Sequence, residues 1–269
     1  MLVQAYDPFL EWRPFVTNPS SYYEAHYHEI IASIVFYQLL YVLSPLISRS
    51  TFGEHYDKLL QSSKLNFDIH VVSMVQCIIS ILVIIPLIGD EHLSANTVLH
   101  YTPYAAFVSS ITIGYFVWDL FVCIRHFKLF GVGFLVHAIA SLFVFCSTLR
   151  PFCLGWVASF LSFELSTPFV NVNWFANKLP TGAIPNWVIA VNGLLLIVVF
   201  FFVRIVWGFY AIYWVLCEFW KYRDQVPVVL CVIVVILNVG LDTLNVFWFQ
   251  KMIQIAAKKF NSSSKSKQE

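Results

Sequence analysis

Phe163-Glu164-Leu165-Ser166-Thr167-Pro168-Phe169-Val170-Asn171-Val172-Asn173-Trp174 poses the problem that the rest of the chain has to solve. A single carboxylate sits near the end of an otherwise apolar run. A proline follows four residues later, then two asparagines and a tryptophan. A charge placed in hydrocarbon costs ~2.5–3.5 kcal/mol on insertion scales, and such groups face a bundle interior or a hydrated cavity. What surrounds Glu164 therefore decides whether it does chemistry or only packs.

Its surroundings are overwhelmingly apolar. The 269 residues are 59% hydrophobic, 18% aromatic and only 12% charged. A soluble domain carries about 25% charged residues. Half that share, with several apolar runs of about 20 residues, predicts an all-α polytopic membrane protein, because helices satisfy their own backbone in lipid. The net charge of +1 exerts no bulk pull on nucleic acid, and no basic, aromatic-interleaved patch is present, so a nucleic-acid partner is not expected. Cys77, Cys123, Cys146, Cys153, Cys217 and Cys231 lie in or beside apolar runs with no C-x-x-C pair. They read as small apolar side chains, and neither disulfides nor a metal site is expected. Residues 1–26 carry Asp7, Glu11, Arg13 and several prolines without a continuous apolar core, unlike a signal peptide.

Seven apolar runs, at 27–48, 67–88, 103–124, 131–149, 152–168, 186–217 and 226–250, are long enough or nearly so to span a bilayer. The fifth is the shortest. Lys and Arg favour the cytosolic side. With seven spans, the side bearing the N-terminus collects four of them and the other side eleven, so the C-terminus is predicted cytosolic and the N-terminus lumenal. Lys265-Ser266-Lys267-Gln268-Glu269 looks like a lysine-x-lysine-x-x retrieval signal of the endoplasmic reticulum (ER), in a tail that Asn261 to Ser264 suggest is disordered. Pro168 is expected to end or kink the fifth span, with Asn171, Asn173 and Trp174 at its interfacial exit. Whether residues 49–66 form an interfacial helix stays open.

Helix rise of ~1.5 Å per residue turns these boundaries into depths. Asp119 and His137 each fall ~9 Å inside the cytosolic end of their spans. Glu164 and Asn192 lie near the same end of theirs. Asn238, Asp242 and Asn245 share one face at i, i+4, i+7. These groups form one layer, with Arg204 the main polar exception in the opposite half. Such clustering argues for a single polar cavity opening toward the cytosol. A helix-end ion pair at Asp119 or interhelical hydrogen bonding at Asp242 is the plainer alternative.

Three pieces then carry a resemblance: Gly114-Tyr115-Phe116-Val117-Trp118-Asp119-Leu120, His137-Ala138-Ile139-Ala140-Ser141-Leu142, and Glu164 through Asn171 to Trp174. Together they resemble the TLC domain, shared by translocating-chain-associated proteins, ceramide synthases and smaller ER lipid proteins. The third piece is most similar to the branch called TLC domain-containing protein 4. The resemblance implies about seven transmembrane helices, six of them forming a TLC-domain helical barrel around a polar cavity. Residues 1–26 would be a lumenal segment, 27–48 the first transmembrane helix, 62–260 the TLC domain and 261–269 a cytosolic basic tail. Against ceramide synthases, His137 falls on the first motif histidine, Ser141 on the threonine, and Glu164 and Thr167 on two aspartates. Ala138 and Phe163 replace two further histidines.

The expected function is that of an ER membrane protein in lipid homeostasis. It would bind a membrane lipid or fatty acyl chain through Asp119, His137, Ser141, Glu164, Asn171, Asn192 and Asp242. A second expectation is an acyl-CoA-dependent acyltransferase, with His137 and Glu164 catalytic and acyl-CoA as substrate but no resident cofactor. A third is a cargo receptor or chaperone-like protein. A homodimer is compatible with each.

Overall fold

The computed structural model describes residues 6–180 and 182–265. Every regular element among them is helical: α1 (Tyr22–Phe52), α2 (Glu54–Asp57), α3 (Gln61–Ile84), α4 (Glu91–Ala95), α5 (Pro103–Arg125), α6 (Phe127–Thr148), α7 (Val157–Leu161), α8 (Thr167–Lys178), α9 (Asn186–Phe200), α10 (Trp207–Lys221) and α11 (Val228–Lys265). The protein is an all-α polytopic membrane protein. Tyr22–Phe52, Gln61–Leu87, Pro103–Arg125, Phe127–Thr148, Asn186–Lys221 and Val228–Lys258 are long and apolar enough to cross a membrane.

α1 begins five residues earlier than its apolar run. Ser21 accepts a hydrogen bond from the Glu24 amide, and the Glu24 carboxylate reaches back to the Ser20 amide, so the first turn's donors are satisfied before the apolar stretch starts. The helix stops at Gly53, whose φ of 53° suits a residue without Cβ and whose amide donates to Arg49 O. Between α1 and α3 there is only the single turn α2, and no longer interfacial helix.

Seven spans were expected, and the fifth is not one long helix. Residues 154–178 fold as a 3-10 turn (Leu154–Trp156), α7, a second 3-10 turn (Ser162–Ser166) and α8. Pro168 is the physical reason. It offers no amide and its ring clashes with the carbonyl four residues back, so it is tolerated only in the first turn of a helix. It occupies that turn in α8. The helical path thus continues beyond Pro168, contrary to the expected stop, and Asn171, Asn173 and Trp174 lie on α8 rather than in an exit loop.

The broken run still reaches from one end of the bundle to the other. At its start, the amides of Cys153 and Gly155 donate to Val98 O and Thr97 O at 2.8 and 3.0 Å. Tyr101, a few residues on, stacks on Tyr22 at the start of α1 with ring centroids 4.0 Å apart. At its far end, Phe175 meets Phe52 and Phe67, where α1 finishes and α3 begins. It is a seventh traverse assembled from pieces, none long enough to register alone.

α5 is the most enclosed element. Ala105, Ala106, Val108, Ser109 and Ser110 are all 0% exposed, and α1 and α6 pack along its sides. Large apolar side chains on the outer faces of α1, α6, α9 and α11, among them Leu46, Val132, Leu194 and Val229, are exposed. A water-soluble surface would not carry so much bare hydrocarbon, whereas a bilayer covers it at no cost. α11 continues as helix through Asn261–Ser264, where disorder was expected. Residues 266–269 of the retrieval-like tail lie outside the described residues.

Candidate functional site

Four separate segments aim polar side chains at one cavity within the bundle. α6 supplies His137 and Ser141, one turn apart on a single face. The 3-10 turn before Pro168 supplies Glu164, with Phe163 beside it. Arg204 comes from the junction of α9 and α10, and α11 supplies Asn238, Asp242 and Asn245. Phe116, Val144, Phe145, Phe160, Leu161 and Leu241 complete the wall. The cavity volume is about 60 Å³.

Arg204 is the group that knits these segments together. It lies in a π-helical turn, Phe201–Val206, inserted between α9 and α10. Such turns widen a helix by one residue and recur at functional positions. The guanidinium uses all three nitrogens. Nε donates to Ser166 Oγ at 2.8 Å, Nη2 to Thr167 Oγ1 at 3.1 Å and Nη1 to Asn245 Oδ1 at 3.4 Å. The Phe200 ring lies 5.3 Å from its carbon. Each acceptor is neutral, and no carboxylate lies within ion-pair distance of Arg204 among the described residues. Glu164 and Asp242 line the same cavity.

Asp242 is 7% exposed and owes its room to Gly208. A Cβ built on Gly208 would come within 3.1 Å of Asp242 Oδ1. His137 lies edge-on to the rings of Phe116 and Trp248, at centroid distances of 6.2 and 5.7 Å. No hydrogen bond ties it to Glu164 or Asp119 among the described residues. Its imidazole lines the cavity wall.

Of the seven residues expected to bind lipid, His137, Ser141, Glu164 and Asp242 line this cavity. The other three do not. Asp119 has a long contact from Cys123 Sγ at 4.0 Å and lies off the cavity wall. Asn171 is 1% exposed, accepts from His70 Nδ1–H at 2.7 Å and donates to Ser73 Oγ at 3.1 Å, which pins α8 to α3. Asn192 donates to Phe169 O at 3.0 Å and pins α9 to α8. Conversely, Arg204 was assigned to the opposite half by counting along its span. Its place here had a sequence signal, since an arginine inside an apolar run is itself a mark of a polar interior.

A second, larger cleft lies apart from this cluster and shares no lining residue with it. Its volume is about 480 Å³, between α8, α9 and α11. Ile189, Leu194, Ile197, Met252 and Ile255 make it apolar, with Asn173 and Asn186 among its few polar residues.

Comparison with known proteins matches residues 66–254 to the TLC domain family model. The chain is 44% identical over 252 residues to "Topoisomerase I damage affected protein 4" of Saccharomyces cerevisiae, covering 91% of this chain and 89% of that one. It is 37% identical over 241 residues to a TLC domain-containing protein of Schizosaccharomyces pombe, covering 90% and 82%. With human TLC domain-containing protein 4 the identity is 34% over 151 residues, covering 53% and 55%.

Proposed function

From the premise that this chain belongs to the TLC-domain family and crosses the membrane several times, we propose that it binds a lipid or fatty acyl chain and serves lipid homeostasis in the ER membrane, with its C-terminus in the cytosol. The observation that carries this is the convergence of His137, Glu164, Arg204 and Asp242 on one intramembrane cavity from four segments distant in sequence. Ionisable groups are costly at that depth and mark ligand or ion pathways.

Size narrows the ligand. At roughly 10–15 Å³ of accessible space per water, a volume of about 60 Å³ holds a few waters. A carboxyl, hydroxyl or amide group fits, and a phosphocholine does not without movement of the wall. The lipid is therefore one with a small polar head. The 480 Å³ cleft has the volume and lining of a small-molecule site and would take hydrocarbon.

The test is native mass spectrometry and lipid extraction of protein purified in mild detergent. A co-purifying small-headed lipid, or retention of a labelled fatty acid, is expected. Protein that emerges lipid-free and retains no labelled chain overturns the proposal. Gly193→Leu separates the two spaces. Gly193 lines the cleft, and its Cβ would have nothing within 4 Å, so a leucine side chain projects into that space. Retention of the labelled chain should fall roughly tenfold, about 1.4 kcal/mol, with a melting temperature no lower than the parent's, because a helical glycine is replaced. Undiminished retention removes the cleft from the scheme.

A second reading, acyl transfer from acyl-CoA, is favoured by one observation: His137 and Glu164 face the same cavity. The imidazole would attack the thioester carbonyl and release CoA thiol, leaving an acyl group for a lipid acceptor. An acyl adduct by intact mass after incubation with acyl-CoA, lost in His137→Ala, would establish it. No adduct and no product would dismiss it. The ER address and orientation rest on the lysine and arginine bias of the loops and the retrieval-like tail. A reporter at the C-terminus that reads lumenal would reverse the orientation.

A further inference from the structure

At the end of the bundle where α1 begins, a second ionisable cluster is fully enclosed. Asp7 and His26 are 0% exposed and Glu29 is 3% exposed. One ligating atom from each lies within 4.8 Å of the other two. His26 Nδ1 is 2.8 Å from Glu29 Oε2 and 3.6 Å from Asp7 Oδ2. The other ring nitrogen, Nε2, is 2.8 Å from the Tyr101 hydroxyl. Asp7 Oδ1 accepts from the Phe9 amide at 2.9 Å. Asp7 Oδ2 and Glu29 Oε1 are buried with no hydrogen-bond partner among the described residues.

That arrangement encloses two carboxylates, with His28 Nε2 3.7 Å from Glu29 Oε1 at its edge. Two neighbouring carboxylates buried together need a cation or a proton between them. An imidazolium would serve one carboxylate oxygen and a shared carboxyl proton would join the two acids, whereas one metal ion engages all three side chains at once. Arg13, from the same N-terminal segment, has its guanidinium engaged by carbonyls: Val16 O at 2.7 Å, Ala25 O at 3.4 Å and Thr17 O at 3.5 Å. The donors instead suit a metal. Zinc binds imidazole nitrogen and carboxylate oxygen at ~2.0–2.2 Å, which in a tetrahedron separates donors by about 3.3 Å. The observed 2.8 and 3.6 Å bracket that separation. Calcium and magnesium prefer six or more oxygens, and an imidazole ligand argues against them.

We propose that Asp7, His26 and Glu29 hold a zinc ion, with Tyr101 as the positioning residue that accepts the His26 Nε2–H and turns Nδ1 toward the metal. Zinc neutralises both carboxylates while the imidazole stays neutral. A water or a second carboxylate oxygen completes the four positions. The ion joins the segment before α1 to α1 itself and, through Tyr101, to the segment before α5. It staples one end of the bundle. No sequence spacing announces it, because the ligands come from a loop and a helix and include no cysteine.

The full chain in detergent is stripped with a chelator, reloaded with Zn2+ and passed through gel filtration. One zinc per chain by elemental analysis is expected, with a higher melting temperature than the stripped protein. His26→Gln and Asp7→Asn should each lose the zinc. Tyr101→Phe keeps every ligand and should weaken zinc roughly 10- to 100-fold, as loss of such an orienting partner does. Cobalt(II) in place of zinc should give a visible absorption band in the parent that His26→Gln lacks. If His26→Gln does not fold, the stripped-against-reloaded comparison and Tyr101→Phe decide. Three outcomes overturn the proposal: no stoichiometric zinc together with one melting temperature in both states, zinc content unaltered by His26→Gln and Asp7→Asn, or retention of Mn2+ or Ca2+ in preference to zinc.

Discussion

Arg204→Leu should destabilise the protein by about 3 kcal/mol and abolish lipid retention. Three hydrogen bonds to Ser166, Thr167 and Asn245 disappear at once. Interhelical hydrogen bonds in membranes average only ~0.6 kcal/mol each, so these supply less than 2 kcal/mol. The remainder comes from Glu164 and Asp242, which then face the cavity with no cation to balance them. Stranding buried charges in this way costs ~3–5 kcal/mol in soluble proteins, an upper bound for a cavity that admits water. Arg204→Lys should behave differently. It keeps the charge but cannot span three acceptors with a planar fork, so the fold should survive and lipid retention should fall. Glu164→Gln in the Arg204→Leu background should restore part of the loss, because it removes one stranded carboxylate. Thermal melts in detergent and lipid content after purification read both effects. An Arg204→Leu protein that melts and retains lipid like the parent would show that the cation is not what holds the cavity.

Arg204 also marks the boundary of what the sequence makes legible. Helical class and long spans follow from apolar run length alone, because lipid leaves the backbone no other choice. The fifth span was harder. Its 3-10 turns and Pro168 divide it into pieces, and a run-length argument sees only a short apolar stretch. Depth along each helix is legible to within a turn or two, which was enough to associate His137, Glu164 and Asp242. Reach is not legible. Arg204 has a long side chain on a π-helical turn, and neither its extension nor the extra residue in that turn can be counted from the sequence. Rotation about the helix axis is the other hidden variable. Asn171 and Asn192 sit at plausible depths, yet their side chains point at His70, Ser73 and Phe169 O and serve as ties between helices. The Asp7–His26–Glu29 cluster was invisible for a different reason. It joins a loop to a helix, and only the fold sets how the loop packs.

The same distinction between what faces in and what faces out governs how α1 is held. The family match begins at residue 66, so α1 lies outside it and must dock onto it. Docking runs mainly along α5, at Gly114. A Cβ on Gly114 would lie 2.4 Å from Ser33 Cβ and 2.7 Å from Ile30 O, closer than atoms can pack. Ser33 uses the proximity to donate its hydroxyl to Ile111 O at 2.6 Å. Without a hydrophobic drive between helices in lipid, close backbone approach at small residues supplies the packing. Gly114→Ala should therefore cost ~1–3 kcal/mol, the usual penalty for overpacking, and Gly114→Leu more. Gly240→Ala in α11 is the matched control. Its Cβ would have nothing within 4 Å, and glycine within a helix is worse than alanine by roughly 0.5–1 kcal/mol, so stability should rise. Thermal melts of the three variants give opposite signs for one chemical change if close approach at Gly114 holds α1 in place. A Gly114→Ala protein at least as stable as its parent would mean that α1 is held by something else.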